Sequence, residues 1–190
     1  MYIVGIDEAG RGPLAGPVAV GLVHVPESLD LLSAFPGLND SKKLTEKKRE
    51  ELFSLLEGYV AAGDITYAVE LRTAEEIDGK GIAVVIRSAI ADGLVKIAPA
   101  AGTKVWLDGA LRAPSHFVQE TVIGGDALVP AIMLASIAAK VVRDRHMQEM
   151  HTTYAQYGFD HHKGYGTKSH FDALRTHGLC AIHRRTFIHI

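Results

Sequence analysis

The chain has 190 residues and 47% of them are hydrophobic, which excludes an intrinsically disordered chain and suffices for one domain with a sizeable core. The net charge of −2 does not indicate a protein that binds nucleic acid through a general excess of basic residues. Acidic residues gathered in a metal site can, however, lower the net charge without repelling such a substrate once the metal is bound. The sequence has no membrane-length apolar stretch and no signal-peptide pattern, and its single cysteine, Cys180, excludes an internal disulfide, so we expect a cytoplasmic protein.

The first predicted element is an apolar strand over residues 2–7, which ends at two adjacent acids, Asp7 and Glu8. Neighbouring carboxylates repel each other, and a divalent cation offsets that repulsion. In a regular strand the two side chains would point to opposite sides of the sheet, so we expect a bend or bulge after Gly5 to bring both to one site. The alternative is a pair of exposed acids at the end of a strand.

A glycine-flanked arginine follows the two acids, in the order Gly10, Arg11, Gly12. Glycine lets backbone N–H groups approach a ligand closely, and the guanidinium group can contact phosphate. Residues 17–25 are predicted to form a second strand, the hairpin partner of the first. This opening segment therefore predicts a metal-dependent enzyme that acts on a phosphodiester.

The middle of the chain alternates helices and strands. Thr45 is the predicted N-cap of a helix with Leu52, Leu55 and Leu56 on its apolar face, and Thr73 begins a capping box. The further predicted elements are a strand at 64–71, a helix at 81–97, a strand at 103–108 and a short strand at 117–123. A basic cluster precedes them, which is either a solvated helix face or a surface for a polyanion, and it comprises Lys42, Lys43, Lys47, Lys48 and Arg49.

Two further acids are candidate metal ligands. Asp108 ends an apolar strand, and the carboxyl ends of strands are common ligand positions in α/β sheets. Asp126 follows two glycines and precedes an Ala-rich segment. Taken alone, Asp108 is more typical of a turn, and Asp126 is more typical of an Asx turn before a helix.

An Ala-rich, mostly helical segment over residues 130–156 is followed by a loop at 157–167 and a helix at 167–178. Asp144 lies between two arginines and is predicted to form a surface ion pair. Without a cysteine pair, His161, His162 and His170 are expected to be loop and surface residues, not zinc ligands. Tyr165 has glycine on both sides, and its ring either stacks on a sugar or base or covers the loop. The pattern as a whole predicts one α/β domain with a mixed sheet flanked by helices.

Taken together, several segments resemble type 2 ribonuclease H, the bacterial ribonuclease HII family. They occur in the family's order between residues 5 and 187, so the resemblance covers nearly the whole chain. The matching segments are 5–18 (GIDEAGRGPLAGPV), 39–44 (NDSKKL), 107–109 (LDG), 125–126 (GD), 135–144 (ASIAAKVVRD), 163–167 (KGYGT) with His170, and 183–187 (HRRTF).

This resemblance implies an RNase H-like fold in a single domain over residues 1–190, with a small C-terminal helical portion at 157–190 that binds substrate. The implied metal ligands, for Mg²⁺ or Mn²⁺ in a two-metal site, are Asp7, Glu8, Asp108 and Asp126. The implied substrate-binding residues are Gly10, Arg11 and Gly12 at the ribonucleotide of an RNA–DNA junction, Tyr165 at the deoxyribose, and Lys42, Lys43 and Lys163.

The implied activity is cleavage of the RNA strand in RNA–DNA hybrids and at ribonucleotides embedded in duplex DNA, as in ribonucleotide excision repair. The products carry 5′-phosphate and 3′-hydroxyl ends, and a monomer is expected. Two departures from the family pattern stand out: Ala127 and Leu128 replace a polar and a basic residue, and Gly81 stands where the family often has asparagine. The alternatives are a hybrid-binding protein without catalysis and another two-metal hydrolase, such as a DNA resolvase or a phosphatase.

Overall fold

A five-stranded mixed sheet organises the molecule. The structure is a computed structural model that describes residues 1–189, so Ile190, the last residue of the expected C-terminal portion, lies outside the described residues. The strands are β1 (Tyr2–Ala9), β2 (Val18–Pro26), β3 (Thr66–Arg72), β4 (Lys104–Asp108) and β5 (Val118–Val122). They lie in the order β3-β2-β1-β4-β5, with antiparallel pairing among the first three and parallel pairing from β1 to β5. The predicted mixed sheet and the hairpin pairing of its first two strands are confirmed.

Helices cover both faces of the sheet. They are α1 (Leu31–Ala34), α2 (Glu46–Ala62), α3 (Ala74–Lys80), α4 (Ile82–Ile97), α5 (Gly125–Leu128), α6 (Pro130–Thr153), α7 (Phe159–His162) and α8 (Lys168–His177), with 3₁₀ turns at Ala155–Tyr157 and Arg185–Phe187. The Thr45 N-cap and the Thr73 capping box are confirmed. In the part of the chain described, no helix is long and apolar enough to cross a bilayer.

Two local predictions were wrong. The segment predicted as a loop at 157–167 contains α7, a single helical turn that begins after Gly158. On α2, Leu55 is 43% exposed, whereas Phe53 is buried in its place. The helix turns its apolar face toward α6 and the sheet, and the residues buried in this orientation are Leu52, Phe53 and Leu56.

The predicted bulge in β1 is absent. Pairing with β2 continues without interruption from Tyr2 to Ala9, and Asp7 and Glu8 oppose Gly21 and Val20. The two side chains therefore leave the backbone on opposite faces of the sheet, but at the end of the strand both still lie close enough to Asp108 to be affected by its charge. Asp7 is on the face covered by α6, because it lies two residues after Gly5, where an added Cβ would point into that helix.

Gly5 lets the α6 backbone rest directly on the sheet. A Cβ at this position would overlap the carbonyl group of Ala131 and lie 2.7 Å from the backbone nitrogen of Ile132. Gly21, on β2, has the same relation to the carbonyl of Ala135. This close approach brings Ser136 of α6 within hydrogen-bonding reach of Asp7.

Candidate active site

Three of the predicted acids gather at the carboxyl ends of two neighbouring strands. The parallel register pairs Ile6 of β1 with Leu107 of β4, so the next residues, Asp7 and Asp108, end side by side. Glu8 follows Asp7, and its side chain is only 15% exposed. Each of these acids is close enough to Asp108 for that charge to disfavour its ionised form.

The Asp7 carboxyl is poorly solvated. It is 4% exposed, and its pKa is raised from 3.8 to about 7, mainly by burial and in smaller part by the charges of Glu8 and Asp108; a hydrogen bond with Ser136 opposes the shift. Burial also raises the pKa of Glu8, and an ion pair with Arg11, at 3.2 Å, counteracts that rise. The site therefore brings several carboxylates together in a place where burial keeps water from solvating their negative charge.

Asp126, in the first turn of α5, lies next to the acids at the strand ends. Its backbone N–H donates to the Asp108 carboxylate over 3.4 Å, which ties the first turn of α5 to the end of β4. Its own carboxylate accepts a 2.7 Å hydrogen bond from the Lys42 ammonium group, and this bond raises the pKa of Lys42. The neighbouring Ala127 and Leu128 leave both contacts intact.

The four carboxylates suit a hard divalent cation, because they supply only oxygen ligands. Such an ion would also relieve the repulsion between their negative charges. In the arrangement described, however, no three His, Cys, Asp or Glu side chains between residues 1 and 189 are already placed to hold one ion. The contact between Lys42 and Asp126 accounts for part of this, since it directs one carboxylate toward an ammonium group. A bound cation would compete with Lys42 for Asp126.

The β1–β2 loop, residues 10–17, is shaped by a buried arginine on α6. Arg143 is fully buried, and its guanidinium donates to the carbonyls of Pro17 (2.8 Å) and Ala15 (3.3 Å). Gly10 has a φ of +84°, and a Cβ there would overlap the Arg143 side chain. Gly12, in contrast, is exposed with no protein atom near its missing Cβ, so the protein itself does not require glycine there.

A second buried arginine holds the same loop from the C-terminal part of the chain. Arg184 is fully buried and uses all three of its nitrogens: Nε donates to Gly16 O (2.9 Å), and the other two to Arg11 O (3.0 Å) and Gly10 O (2.7 Å). Sequence reasoning assigned no role to Arg143 or Arg184. An arginine within an Ala-rich, apolar stretch could have indicated that Arg143 is buried. No local pattern, in contrast, distinguished Arg184 from its neighbour Arg185.

Tyr165 lies beside the β1–β2 loop. The carbonyl of Gly164 accepts hydrogen bonds from the backbone N–H groups of Leu14 (2.9 Å) and Ala15 (3.3 Å). The Tyr165 ring is 44% exposed, and its centroid is 5.8 Å from the Arg143 guanidinium carbon. One cleft of about 230 Å³ joins these features, and its lining residues include Glu8, Gly10, Arg11, Gly12, Ser41, Lys42, Ser136, Lys140 and Tyr165.

The other predicted basic residues and Asp144 have different surroundings. Lys163 is 8% exposed and donates to the Asp160 carbonyl, so its ammonium group is turned away from the cleft. Lys43 is exposed but does not line the cleft. Asp144 was predicted to form a surface ion pair, yet it is 5% exposed and bonds to Lys140 at 2.7 Å inside the protein. Helix α6 is covered on that side by α2, which accounts for the burial.

The prediction of a surface histidine was wrong for His170, which stabilises the Tyr165 segment together with His183. His170 and His183 are buried, and their Nε2 atoms are 3.0 Å apart. His170 Nδ1 is 2.9 Å from the Tyr165 carbonyl and must donate to it, while His183 Nδ1 accepts from the Cys180 N–H at 2.9 Å. These contacts assign the tautomers, with His183 donating to His170 and both rings neutral.

Acidification is expected to destabilise this part of the molecule. Burial and the nearby His170 lower the pKa of His183 from 6.5 to about 4, so the folded state resists a proton that the unfolded state accepts. The resulting stabilisation is complete above about pH 6.5 and is lost as the pH falls toward 4. The slope of melting temperature against pH, measured between pH 8 and 5, reports this loss of stability. His183→Gln should flatten it, whereas replacement of the exposed His161 by glutamine should not; equal slopes in both variants contradict the assignment.

The chain is similar to known proteins along its whole length. A family model described as Ribonuclease HII matches residues 4–190. The chain is 46% identical over 187 residues to Ribonuclease HII of a Polaromonas species, covering 97% of this chain and 88% of that one. It is also 46% identical over 186 residues to Ribonuclease HII of Endomicrobium trichonymphae, with 97% and 84% covered. The crystal structure of ribonuclease H2 from Pyrococcus horikoshii superposes with a TM-score of 0.74 at 27% identity, covering 98% of this chain and 93% of that one.

Proposed function

The chain belongs to the ribonuclease HII family and is a type 2 ribonuclease H that acts on RNA–DNA hybrids, and we propose that it also incises duplex DNA at single embedded ribonucleotides. The proposal extends to two-metal catalysis with Mg²⁺ or Mn²⁺ and to products with 5′-phosphate and 3′-hydroxyl ends. We further propose that one copy suffices, since a single chain supplies every group named in the cleft.

One observation supports this proposal above the others: one acid of the proposed metal site and the loop that would recognise ribose line the same cleft. Glu8, Gly12 and Tyr165 are all among its lining residues. The 2′-hydroxyl is what distinguishes RNA from DNA at a given site. The exposed backbone at Gly12 offers hydrogen-bonding groups to that hydroxyl without a side chain in the way, and this supports ribose recognition beside the reacting phosphate.

The chain's own groups have separable roles in the proposed reaction. Asp7, Glu8, Asp108 and Asp126 would hold the cations, which supply an activated water and stabilise the leaving 3′ oxygen. Hydrolysis joins the water oxygen to phosphorus and breaks the bond to the 3′ oxygen, so the negative charge on the phosphate grows. Lys42 and Arg11 line the same cleft and offer positive charge to that phosphate.

The decisive experiment compares three duplexes in the presence of Mg²⁺ or Mn²⁺: an RNA–DNA hybrid, a DNA duplex with one ribonucleotide, and an all-DNA duplex. We expect cleavage of the first two and none of the third, with a 5′-phosphate on the downstream fragment. Cleavage of the hybrid alone would overturn the single-ribonucleotide proposal. Equal cleavage of all three would indicate a hydrolase that does not recognise ribose.

Tyr165→Ala is expected to lower kcat/KM on the single-ribonucleotide duplex by about tenfold, since stacking on an aromatic ring contributes about 1–3 kcal/mol per nucleotide. Tyr165→Phe keeps the ring and should retain most of the activity. Steady-state kinetics of both variants measure the difference. The metals should bind as before, because among residues 1–189 the Tyr165 side chain forms no hydrogen bond with any of the four acids. Unchanged kinetics in the alanine variant would remove Tyr165 from the site.

A further inference from the structure

A second cleft, lined by three arginines, adjoins the candidate active site. Its cationic groups are Arg11, from the β1–β2 loop, Arg87, from α4, and Arg112, from the connection between β4 and β5. The cleft has a volume of about 90 Å³. Arg11 also lines the active-site cleft, so the two clefts meet at this side chain.

The position of these arginines is fixed by the core beneath them. Ile86 and Ile90 of α4 are buried within the hydrophobic core on that face of the sheet, and Leu111 is buried beside them. Arg87 follows Ile86, and Arg112 follows Leu111, so each guanidinium extends from a rigid point. The Arg112 guanidinium also donates to the Leu111 carbonyl over 2.9 Å, which restrains it at the rim.

The three positive charges are poorly compensated. Arg11 pairs with Glu8, but neither Arg87 nor Arg112 joins an ion pair with any carboxylate in residues 1–189. Like charges that converge on one small cleft repel each other, and an anion between them relieves the repulsion. Guanidinium groups suit phosphate in particular, because their planar N–H donors match its oxygens in pairs.

The cleft begins close to a metal-site acid. The Leu111 backbone N–H donates to the Asp108 carbonyl over 3.1 Å, so the connection that presents Arg112 starts where β4 ends. A nucleic-acid strand whose phosphate lies at the carboxylates can therefore continue past Arg11 into this cleft. Because the chain as a whole has a net charge of −2, three arginines around one cleft do not simply reflect a general excess of basic residues.

We propose that this cleft binds a second backbone phosphate of the substrate, displaced from the scissile phosphate along the strand. The inference rests on the proposed function, since it takes the nucleic acid in the neighbouring cleft as the ligand. It adds Arg87 and Arg112 to the binding surface. Both act through charge and neither touches the reacting atoms, so they affect binding and not the chemical step.

The test uses the double variant Arg87→Ala/Arg112→Ala and duplexes that carry one ribonucleotide, with binding measured in EDTA. We expect a Kd about tenfold weaker than that of the wild type. The slope of log K against log salt concentration should fall by about 1, as for one lost phosphate contact. The kcat at saturating substrate with Mg²⁺ should be unchanged. Arg145→Ala is the control, because Arg145 lies over Phe53 on the opposite side of the sheet.

A series of duplexes shortened one base pair at a time from each end locates the contact. Wild-type affinity should drop at one arm length on one side of the ribonucleotide, and the double variant should show no such step. Unchanged affinity and salt dependence in the double variant would overturn the inference, as would a loss of affinity that is the same at every arm length. Failure of the proposed function is recognised separately, because the wild type would then leave the ribonucleotide-containing duplex uncut.

Discussion

Replacing Asp7 by asparagine is expected to lower kcat on a ribonucleotide-containing duplex by about 10³-fold. Asparagine keeps the shape of the side chain and its hydrogen bond with Ser136. It removes, however, a negative oxygen ligand from the proposed cation site. Electrostatic stabilisation of several kcal/mol by a bound cation corresponds to this factor, at about 1.4 kcal/mol for each tenfold change.

The same substitution should raise the melting temperature of the protein in EDTA at pH 8. Asp7 is 4% exposed and stands beside Glu8 and Asp108, so its ionised form costs stability when no cation is bound. Addition of Mg²⁺ should stabilise the wild type more than the variant, because a cation that binds only the folded state shifts unfolding by mass action. Asp64→Asn, at an exposed position, is the control. Full activity in Asp7→Asn, or a loss of activity with a lower melting temperature, contradicts the proposed role.

Gly5→Ala is expected to destabilise the fold by about 3 kcal/mol, the upper end of the usual range for overpacking. The added methyl group would overlap the backbone of α6 at Ala131, and backbone atoms cannot move aside as a flexible side chain can. For a domain of this size the melting temperature should fall by roughly 10 °C. Thermal unfolding followed by circular dichroism measures the change.

A second glycine provides the matched control. Gly58 is exposed on α2, and a Cβ there meets no atom within 4 Å. Gly58→Ala should therefore leave the fold unchanged and stabilise it by up to about 1 kcal/mol through helix propensity. If Gly5→Ala melts at the wild-type temperature, the close contact between β1 and α6 does not limit stability. Residual activity of a folded Gly5→Ala protein should also be low, since a displaced α6 moves Ser136 away from Asp7.

The sequence predicts those parts of the fold that local patterns determine. Asp7 and Asp108 were each predicted at the end of a strand, and the structure adds that the two strands are parallel neighbours, which brings the two acids together. The caps at Thr45 and Thr73 were equally readable, since each depends on residues within one helical turn. The roles of the acids as metal ligands stay a prediction, as does the contact of Gly12 with ribose.

The contacts that escaped prediction join residues far apart in the chain. Arg184 and Gly10 are separated by 174 residues, and no pattern near either one reveals the other. The family resemblance implied that Lys163 binds substrate, but in the structure its ammonium group donates to the Asp160 carbonyl, a contact that the sequence did not indicate. His170 was wrongly predicted to be exposed, because the rings packed against it, Phe159 and His183, lie more than ten residues away in the chain.

The contact between Arg184 and the β1–β2 loop has a consequence for synthesis of the protein. The carbonyls of Gly10 and Arg11 leave the ribosome early, but the guanidinium that orients them is translated 174 and 173 residues later. All five strands and helices α5 and α6, which include the four acids or pack against them, are translated before Arg184. A translation product truncated before residue 184 would therefore retain the four acids and the Arg143 contacts of the β1–β2 loop, but would lack the three hydrogen bonds from Arg184. The final arrangement of this loop is therefore among the last features of the fold to form during synthesis.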